Sequence, residues 1–233
     1  MRPLRVEVWS DIACPWCWVG KRHLEAALAE LDHPVEVSWR AFELDASAPK
    51  THDPGVDYVM RLANKYGTTR DGAQQMIDRM TSVGKERGLD FRFDRAKPSN
   101  TFDAHRLLAW AARHGKQDAL KERLFKAYMN EGVSMGDLEA LAELAGEVGL
   151  DVERAQAVLS GDDFTQHVRD DEALAAEIGV RGVPFFVLDQ TLAVQGAQPT
   201  EVLVDALKRV LDERPSEVEV VASEPDACGV DGC

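Results

Sequence analysis

Cysteine is scarce in this sequence, with four among 233 residues. So few cysteines exclude a fold built around a disulfide framework, which needs a much denser set. Basic residues are also few, with 27 Lys and Arg against 41 Asp and Glu, and the formal net charge is −14. Because binding to nucleic acid needs an excess of positive charge, nucleic acid is not an expected partner, and an anionic membrane surface would repel the chain.

Long apolar runs are missing as well. No stretch of about 18 or more apolar residues occurs, so the sequence predicts no membrane span. The first residues reach Glu7 without an apolar run of signal-peptide length, which favours a cytoplasmic protein. Hydrophobic residues nevertheless make up 45% of the sequence. That is enough for a sizeable core, in one large domain or in one domain with an insertion.

The order of the predicted elements indicates an α/β fold that a helical block interrupts. Residues 5–10 and 35–44 alternate apolar and polar side chains as strands do, with a helical pattern between them, which predicts a parallel crossover unit. Strand patterns return at 181–189 and 191–196, before a helix over 200–211. The helical patterns between these two regions lie at 57–66, 71–87, 103–114, 117–130, 137–148, 152–159 and 164–178.

This layout predicts two structural parts and a tail. We expect residues 1–50 and 180–213 to form one domain from two segments, and residues 51–179 to form a compact helical insertion within it. Residues 214–233 contain two prolines and five acidic residues but no helical periodicity. We expect them to form a flexible acidic tail.

The stretch Cys14-Pro15-Trp16-Cys17 carries the most informative motif. It follows a predicted strand and opens a predicted helix, so Cys14 is expected at the helix N-terminus, where free N–H groups and the helix dipole stabilise a thiolate. Pro15 fits the first helical turn, where its missing N–H costs nothing. The pattern predicts a low pKa for the attacking Cys14 thiol, a buried resolving thiol at Cys17, and a reversible disulfide between them.

Two other interpretations of this pair stay open. Cys14 and Cys17 could be inert core residues, or half of a zinc site in an interaction module that uses all four cysteines. A zinc site built from two cysteine pairs needs a second pair of suitable spacing, and Cys228 and Cys233 have the spacing C-x4-C in the tail. The position between a strand and a helix favours redox chemistry, for which no metal or organic cofactor is expected.

The tail pair itself has two interpretations. Two glycines between Cys228 and Cys233 allow a short loop to close, so an internal disulfide is feasible. The chain between Leu211 and Cys228, about 16 residues, spans roughly 20 Å as a flexible coil, against a radius of about 17 Å for a domain of this size. The pair could therefore exchange disulfides with the first pair as a second redox site, or be a disordered end with incidental thiols.

Two segments on either side of the helical block, WSDIACPWCWVGKRHLE and GVRGVPFFVLD, resemble the DsbA family of the thioredoxin superfamily. The segment PSNTFDAHRLLAW, residues 98–110, is similar to the FrnE-like branch, which is related to 2-hydroxychromene-2-carboxylate isomerase-like proteins. The resemblance covers residues 4–212 approximately. It implies a thioredoxin-like α/β fold with a large all-helical insertion domain, and a thiol–disulfide oxidoreductase or isomerase that acts on thiol- or disulfide-containing proteins.

The resemblance also implies that Val183-Pro184 is a cis peptide packed against the cysteine pair. The backbone of Val183 would then offer hydrogen bonds to an extended substrate segment, whereas without the resemblance Pro184 would be an ordinary trans proline at the start of a strand. Related isomerases and kappa-class glutathione transferases have a serine in place of Cys14 and use glutathione. This sequence keeps both cysteines, which favours disulfide exchange. A glutathione-dependent isomerase or transferase is the alternative, and glutathione or thioredoxin could serve as the reductant.

Three further residues are candidate modulators of the pair. Asp11 precedes the predicted helix and would shift the pKa of Cys14 or help to move a proton, unless it serves as a turn residue. Trp18, with Trp16, would line the substrate surface or belong to the core. His105 would face the cleft between the two domains or have a packing role.

Overall fold

The computed structural model describes residues 2–55 and 57–214 of the chain. Among these residues no helix is long and apolar enough to cross a membrane. They form four strands and nine α-helices, in the order β1 (Leu4–Ser10), α1 (Pro15–Ala29), β2 (Val35–Ala41), α2 (Tyr58–Tyr66), α3 (Arg70–Glu86), α4 (Phe102–Ala112), α5 (Gln117–Lys126), α6 (Leu138–Glu147), α7 (Val152–Ser160), α8 (Thr165–Glu177), β3 (Phe185–Leu188), β4 (Leu192–Gln195) and α9 (Thr200–Glu213).

The strands form one mixed sheet in the order β2-β1-β3-β4. β1 pairs in parallel with β2 and antiparallel with β3, which forms a hairpin with β4. The predicted crossover through α1 is therefore present. Trp9 pairs with Phe185, so the end of β1 lies beside the start of β3. Because Cys14 follows β1 and Pro184 precedes β3, the sheet brings these two distant segments to the same edge.

One face of the sheet is buried under α1 and α9. Alternation along β1 directs Leu4, Val6 and Val8 to this face, where all three are fully buried. They belong to one apolar cluster with Leu24 of α1 and Leu207 of α9. This packing holds α1, and with it the cysteine stretch, in a set position on the sheet.

The helix α8 covers the other face. Trp9 packs there with Ala175 and Phe185, and its indole Nε1 donates to the backbone oxygen of Asp171 at 2.9 Å. The Asp171 carboxylate accepts a hydrogen bond from the backbone N–H of Ala41, also at 2.9 Å. The domain boundary at residue 179 stays a prediction. α8 lies on the helical side of that boundary, but these hydrogen bonds attach it to β1 and β2 of the sheet.

The helices between β2 and α8 share one apolar cluster with the start of α1. Leu107, Leu124 and Phe125 are fully buried in this cluster, which also contains Cys17 and Trp18. The cysteine stretch therefore lies where the helical block meets the sheet, and side chains from both parts surround it.

Both long strand predictions overshoot the observed strands. β2 ends at Ala41 rather than at residue 44, and the backbone N–H of Leu44 donates instead to the carboxylate of Asp11, at 2.8 Å. β3 begins at Phe185 rather than at residue 181, directly after Pro184, which has no N–H to donate to a strand neighbour.

The helix predicted over 117–130 changes type before its end. It runs as α5 to Lys126 and continues as a π-helical turn, Ala127–Glu131. Gly132 ends this turn with φ of 74°, a conformation that glycine adopts without strain. Such turns often occur at functional sites, and Tyr128 from this one lines the cleft described below.

Candidate active site

Cys14 and Cys17 lie at the start of α1. Cys14 is the N-cap residue, and Pro15 occupies the first turn. The backbone N–H of Cys17 donates to the backbone oxygen of Cys14 at 3.0 Å. Both side chains are free thiols; Cys17 is completely buried and Cys14 is 5% exposed, whereas Trp16 between them is 41% exposed. A substrate therefore reaches Cys14 first.

The peptide bond between Val183 and Pro184 is cis, as the resemblance implied. The Cys14 thiol donates to the backbone oxygen of Val183, with Sγ 3.5 Å from that oxygen. Gly20 of α1 permits this close approach, because a Cβ at position 20 would lie 2.9 Å from Cγ of Pro184. Cys14 and the segment before β3 are thus in direct contact at the start of α1.

The ionisation of Cys14 differs from the sequence-based expectation. The hydrogen bond with the Cys17 side chain, burial and the Asp11 carboxylate raise the pKa of the Cys14 thiol well above its usual value. The backbone N–H of Cys17 acts in the opposite direction and lowers it. The predicted low pKa is therefore not what the structure shows for Cys14: two sulfurs in contact in a buried site do not both ionise, so the second proton of the pair is held tightly. Ionising the pair requires an acceptor for its proton.

A buried carboxylate lies directly behind the pair. Asp11 is 1% exposed, and its oxygens accept hydrogen bonds from the backbone N–H groups of Leu44 at 2.8 Å and Ala13 at 3.3 Å. His105 Nε2 lies 3.4 Å from Asp11 Oδ1, at ion-pair distance but without the direction of a regular hydrogen bond. Burial raises the pKa of Asp11, but the contacts with His105, Leu44 and Thr101 lower it more, so Asp11 is ionised. The structure thus brings two of the three predicted modulators, Asp11 and His105, to the site.

Trp18 belongs to the core rather than to a substrate surface. It is 4% exposed, and its ring stacks on Phe125 with centroids 5.8 Å apart and meets Phe91 edge-on at 5.7 Å. Its Nε1 donates to the carboxylate of Glu122 at 3.1 Å. Of the two tryptophans that the sequence indicated, only Trp16 is placed to contact a substrate.

A cleft of about 360 Å³ opens beside Cys14. Asp11, Cys14 and Trp16 line one side of it, and the helical block lines the other. Its volume lies within the range of small-molecule sites. The helical block contributes apolar side chains to the walls, namely Tyr58, Leu62, Met80 and Phe93. It also contributes three cationic side chains, Arg61, Lys65 and Arg79.

Comparison with known proteins identifies the family. A family model described as a DSBA-like thioredoxin domain matches residues 5–208, which include the cysteine pair, the helical block and the cis peptide. This chain belongs to the DSBA-like thioredoxin domain family. The crystal structure of a probable DsbA oxidoreductase from Streptomyces coelicolor is 41% identical to this DSBA-like protein, covers 98% of this chain and 100% of its own, and superposes with a TM-score of 0.86.

One more distant relative of this DSBA-like protein and one structural neighbour extend the comparison. The uncharacterized protein YwbO of Bacillus subtilis is 29% identical over 88% of this chain and 96% of its own length. A 2-hydroxychromene-2-carboxylate isomerase is 16% identical, covers 89% of this chain and 96% of its own, and has a TM-score of 0.62. This second likeness shows the shared fold alone, and it agrees with the resemblance that the sequence indicated.

The sequence-predicted residues fall into three groups in this DSBA-like protein. The structure gathers most of them around Cys14, places Trp18 in the core, and leaves Cys228 and Cys233 outside the described residues. Across residues 2–55 and 57–214, no group of three or more His, Cys, Asp or Glu side chains is arranged to hold a metal ion. The residues gathered around Cys14 are Asp11, Pro15, Trp16, Cys17, His105, Val183 and Pro184.

Sequence reasoning missed the cations of the cleft and one buried lysine. Lys121 of α5 is fully buried. A signal for it was present, because Leu120, Lys121, Leu124 and Phe125 recur at helical spacing and form the buried stripe of α5. Nothing comparable marks the cleft cations, since their helices carry lysine and arginine on exposed faces as well.

Proposed function

We propose that this protein is a thiol–disulfide oxidoreductase or isomerase, with Cys14 as the nucleophile and Cys17 as the resolving thiol. The observation that carries the proposal is the contact of the Cys14 thiol with the backbone oxygen of Val183, at 3.5 Å and beside a cis proline. It sets the more accessible sulfur next to a backbone segment that can pair with an extended substrate. Family membership supports the same chemistry.

The proposed reaction proceeds in two exchanges. Cys14 as a thiolate attacks a substrate disulfide, so a bond forms between Cys14 Sγ and one substrate sulfur while the other sulfur leaves as a thiolate. Cys17, ionised in turn, attacks Cys14 Sγ and releases the second substrate thiolate. The substrate gains two electrons and the cysteine pair becomes a disulfide. The reverse sequence oxidises a substrate dithiol.

Two features around Cys14 favour its role as the nucleophile. The backbone N–H of Cys17 lowers the pKa of Cys14, and it remains in place when Cys17 has given up its side-chain proton. The exposed ring of Trp16 offers an apolar contact for the residues around a substrate cysteine. Thiol- or disulfide-containing proteins in the cytoplasm are the proposed substrates, with thioredoxin or glutathione as the source of electrons.

The cleft supports a second candidate, a glutathione-dependent isomerase or transferase. Lys65 and Arg79 line the cleft that opens beside Cys14, together with Arg61, which is paired with Asp45 of the same cleft. The chain as a whole has a net charge of −14. Such cations would attract the carboxylates of a small anionic thiol. Retention of a thiol at position 14 rather than a hydroxyl argues for disulfide exchange as the primary activity.

Insulin reduction tests the proposed function. Wild-type protein should reduce insulin disulfides with a thiol reductant, and Cys14→Ser should abolish turnover. Cys17→Ser should also lose turnover but should trap a covalent adduct between Cys14 and the substrate, visible by mass spectrometry under non-reducing conditions. Insulin reduction by Cys14→Ser at the wild-type rate would contradict the proposal. Stoichiometric zinc in freshly purified protein, together with no disulfide turnover, would favour the zinc-binding module instead.

A second redox pair at Cys228 and Cys233 is part of the proposal. These residues lie outside the described part of the chain, so the support is the C-x4-C spacing and the reach of the tail alone. A tethered pair would act on Cys14 and Cys17 at an effective concentration on the order of millimolar.

A further inference from the structure

Lys121 is a buried lysine without a carboxylate partner among the described residues. It is fully buried on α5. Its Nζ donates to the backbone oxygen of Ser10 at 3.3 Å and lies 5.7 Å from the ring centroid of Trp39 and 5.1 Å from that of Phe125. These contacts offset only part of the cost of burying an ammonium group.

Lys21 shows how the same chain satisfies a buried lysine. It is 2% exposed, and its Nζ contacts the carboxylates of Glu25, Asp118 at 3.1 Å and Glu122 at 3.6 Å. A lysine of this kind keeps its charge and has a structural role. Lys121 lies close by without such partners, so its burial calls for another explanation.

Lys121 lies at the base of the active site, because its Nζ contacts the backbone of Ser10, next to Asp11, and the ring of Phe125, which shares a buried cluster with Cys17. Cys17 and Cys14 of the α1 N-terminus and Asp11 of the preceding loop favour its charged form, and Lys21 of α1 opposes it. The acidic residues of α5 have other partners: Asp118 is bound to Lys21 and Trp39. Glu122 is bound to Arg22 and Trp18. His105 of α4 contacts Asp11. The balance is governed by burial, which lowers the pKa of Lys121 to about 8.

Resolution of a mixed disulfide needs such a group. Cys17 must lose a proton before it attacks Cys14, but Cys17 is fully buried and cannot release it directly to solvent. Asp11 is a poor acceptor, because its hydrogen bonds hold its pKa below the usual value. A neutral amine is a better match for a thiol, whose ordinary pKa is about 8.5.

We propose that Lys121 takes up the Cys17 proton and stabilises the resulting thiolate during resolution. This inference rests on the proposed function and deepens it. The neutral Lys121 amine becomes an ammonium as Cys17 becomes a thiolate. Cys17 then bonds to Cys14 Sγ, the bond from Cys14 to the substrate sulfur breaks, and the substrate leaves as a thiolate. Lys121 returns its proton to the leaving thiolate or to solvent, so protons and electrons balance.

A two-step reaction with an aromatic disulfide isolates the resolving step. The full-length reduced protein, with Cys228→Ser and Cys233→Ser, is mixed with an aromatic disulfide whose thiolate is coloured. The first thiolate released reports attack by Cys14, and the second reports resolution by Cys17. We expect the second rate of the parent protein to rise with pH through about 8, where Lys121 becomes neutral.

Lys121→Met removes the amine and keeps an apolar chain against Trp39 and Phe125. It should slow the second release by roughly 100-fold at neutral pH, the scale of an assisting proton acceptor, and shift its pH profile upward, while the first release changes little. Lys126→Met makes the same change on an exposed position of α5 and should alter neither phase. An unchanged second rate and pH profile in Lys121→Met would overturn the inference.

Two further measurements keep the test decisive if Lys121→Met does not fold. Lys121→Gln retains a donor for the oxygen of Ser10 without a titrating charge and should show the same slow second phase. In the Cys17→Ser protein held as its mixed disulfide, NMR titration of the Lys121 amine should coincide with the pH at which the second release of the parent protein speeds up; a titration well away from that pH would overturn the inference. Absence of any second release in the parent protein would instead defeat the proposed function.

Discussion

The sulfur of Cys14 lies 3.5 Å from the backbone oxygen of Val183, a residue 169 positions later in the chain. The sheet makes this contact, because β1 and β3 pair directly and their adjoining ends carry the two segments. The nucleophile and the proposed docking backbone are thus held by neighbouring strands rather than by mobile loops. A side chain that pushes α1 away from Pro184 should therefore change the distance between Cys14 and Val183.

Gly20→Ala tests this spacing. The added Cβ would lie 2.9 Å from Cγ of Pro184 and 3.3 Å from Cζ of Phe186, so we expect a loss of about 1–3 kcal/mol in the free energy of unfolding and a lower kcat/KM for insulin reduction. Chemical denaturation and steady-state kinetics measure the two effects. Gly182→Ala is the stability control, because its Cβ would meet nothing within 4 Å. Equal stability of the two variants would show that α1 has room to move.

Asp11→Asn tests the electrostatics behind the pair. The Asp11 carboxylate raises the pKa of Cys14, so its removal should shift the pH profile of Cys14 alkylation to lower pH. The folded-state pKa of Asp11 is itself lowered. Its stabilising contribution is therefore present above the unfolded value and is lost as pH falls through the folded value. Asp11→Asn should flatten the decline of wild-type stability in acid.

Alkylation rates with iodoacetamide and acid-dependent denaturation check both parts of this prediction. Asp205→Asn is a suitable control, since it makes the same change on an exposed position of α9. A profile for Asp11→Asn that coincides with the wild-type profile would mean that Asp11 does not control the ionisation of Cys14.

Substitution of Trp16 should lower activity, whereas substitution of Trp18 should lower stability. Trp16→Ala alters an exposed ring beside Cys14, so we expect a lower kcat/KM with a stability change within about 0.5 kcal/mol. Trp18→Phe loses the hydrogen bond to Glu122 and leaves that carboxylate less satisfied, at a cost of about 1–3 kcal/mol in stability, with kcat/KM nearly unchanged. Thermal denaturation and insulin reduction on both variants decide the assignment. The opposite pattern would reverse the two roles.

The double variant Cys228→Ser, Cys233→Ser tests the second redox pair. If the tail delivers electrons, re-reduction of the Cys14–Cys17 disulfide by an external reductant should slow, because a tethered donor acts at an effective concentration on the order of millimolar. Stopped-flow re-reduction and the equilibrium potential against glutathione provide the readouts. Unchanged turnover and an unchanged potential would remove the tail pair from the mechanism.

The motif around Cys14 could be predicted because its determinants are local. A strand followed by Cys-Pro-Trp-Cys and an amphipathic helix sets the N-cap position of Cys14 and the first-turn position of Pro15 by backbone sterics and capping, and the structure has both. The order strand, helix, strand over β1, α1 and β2 likewise predicted the parallel pairing of the two strands. The buried stripe of α5 could have indicated Lys121, but an amphipathic pattern does not distinguish a buried amine from an exposed one.

Local patterns were enough to predict most of the elements, the position of the cysteine pair between a strand and a helix, and the chemistry available to two thiols. How that pair ionises and what surrounds it depend on tertiary packing. Asp11 meets His105, and Lys121 meets Ser10 across 111 positions of the chain. Ionisation depends on burial and on charges a few ångströms away, and those distances exist only once the helical block has packed against the sheet.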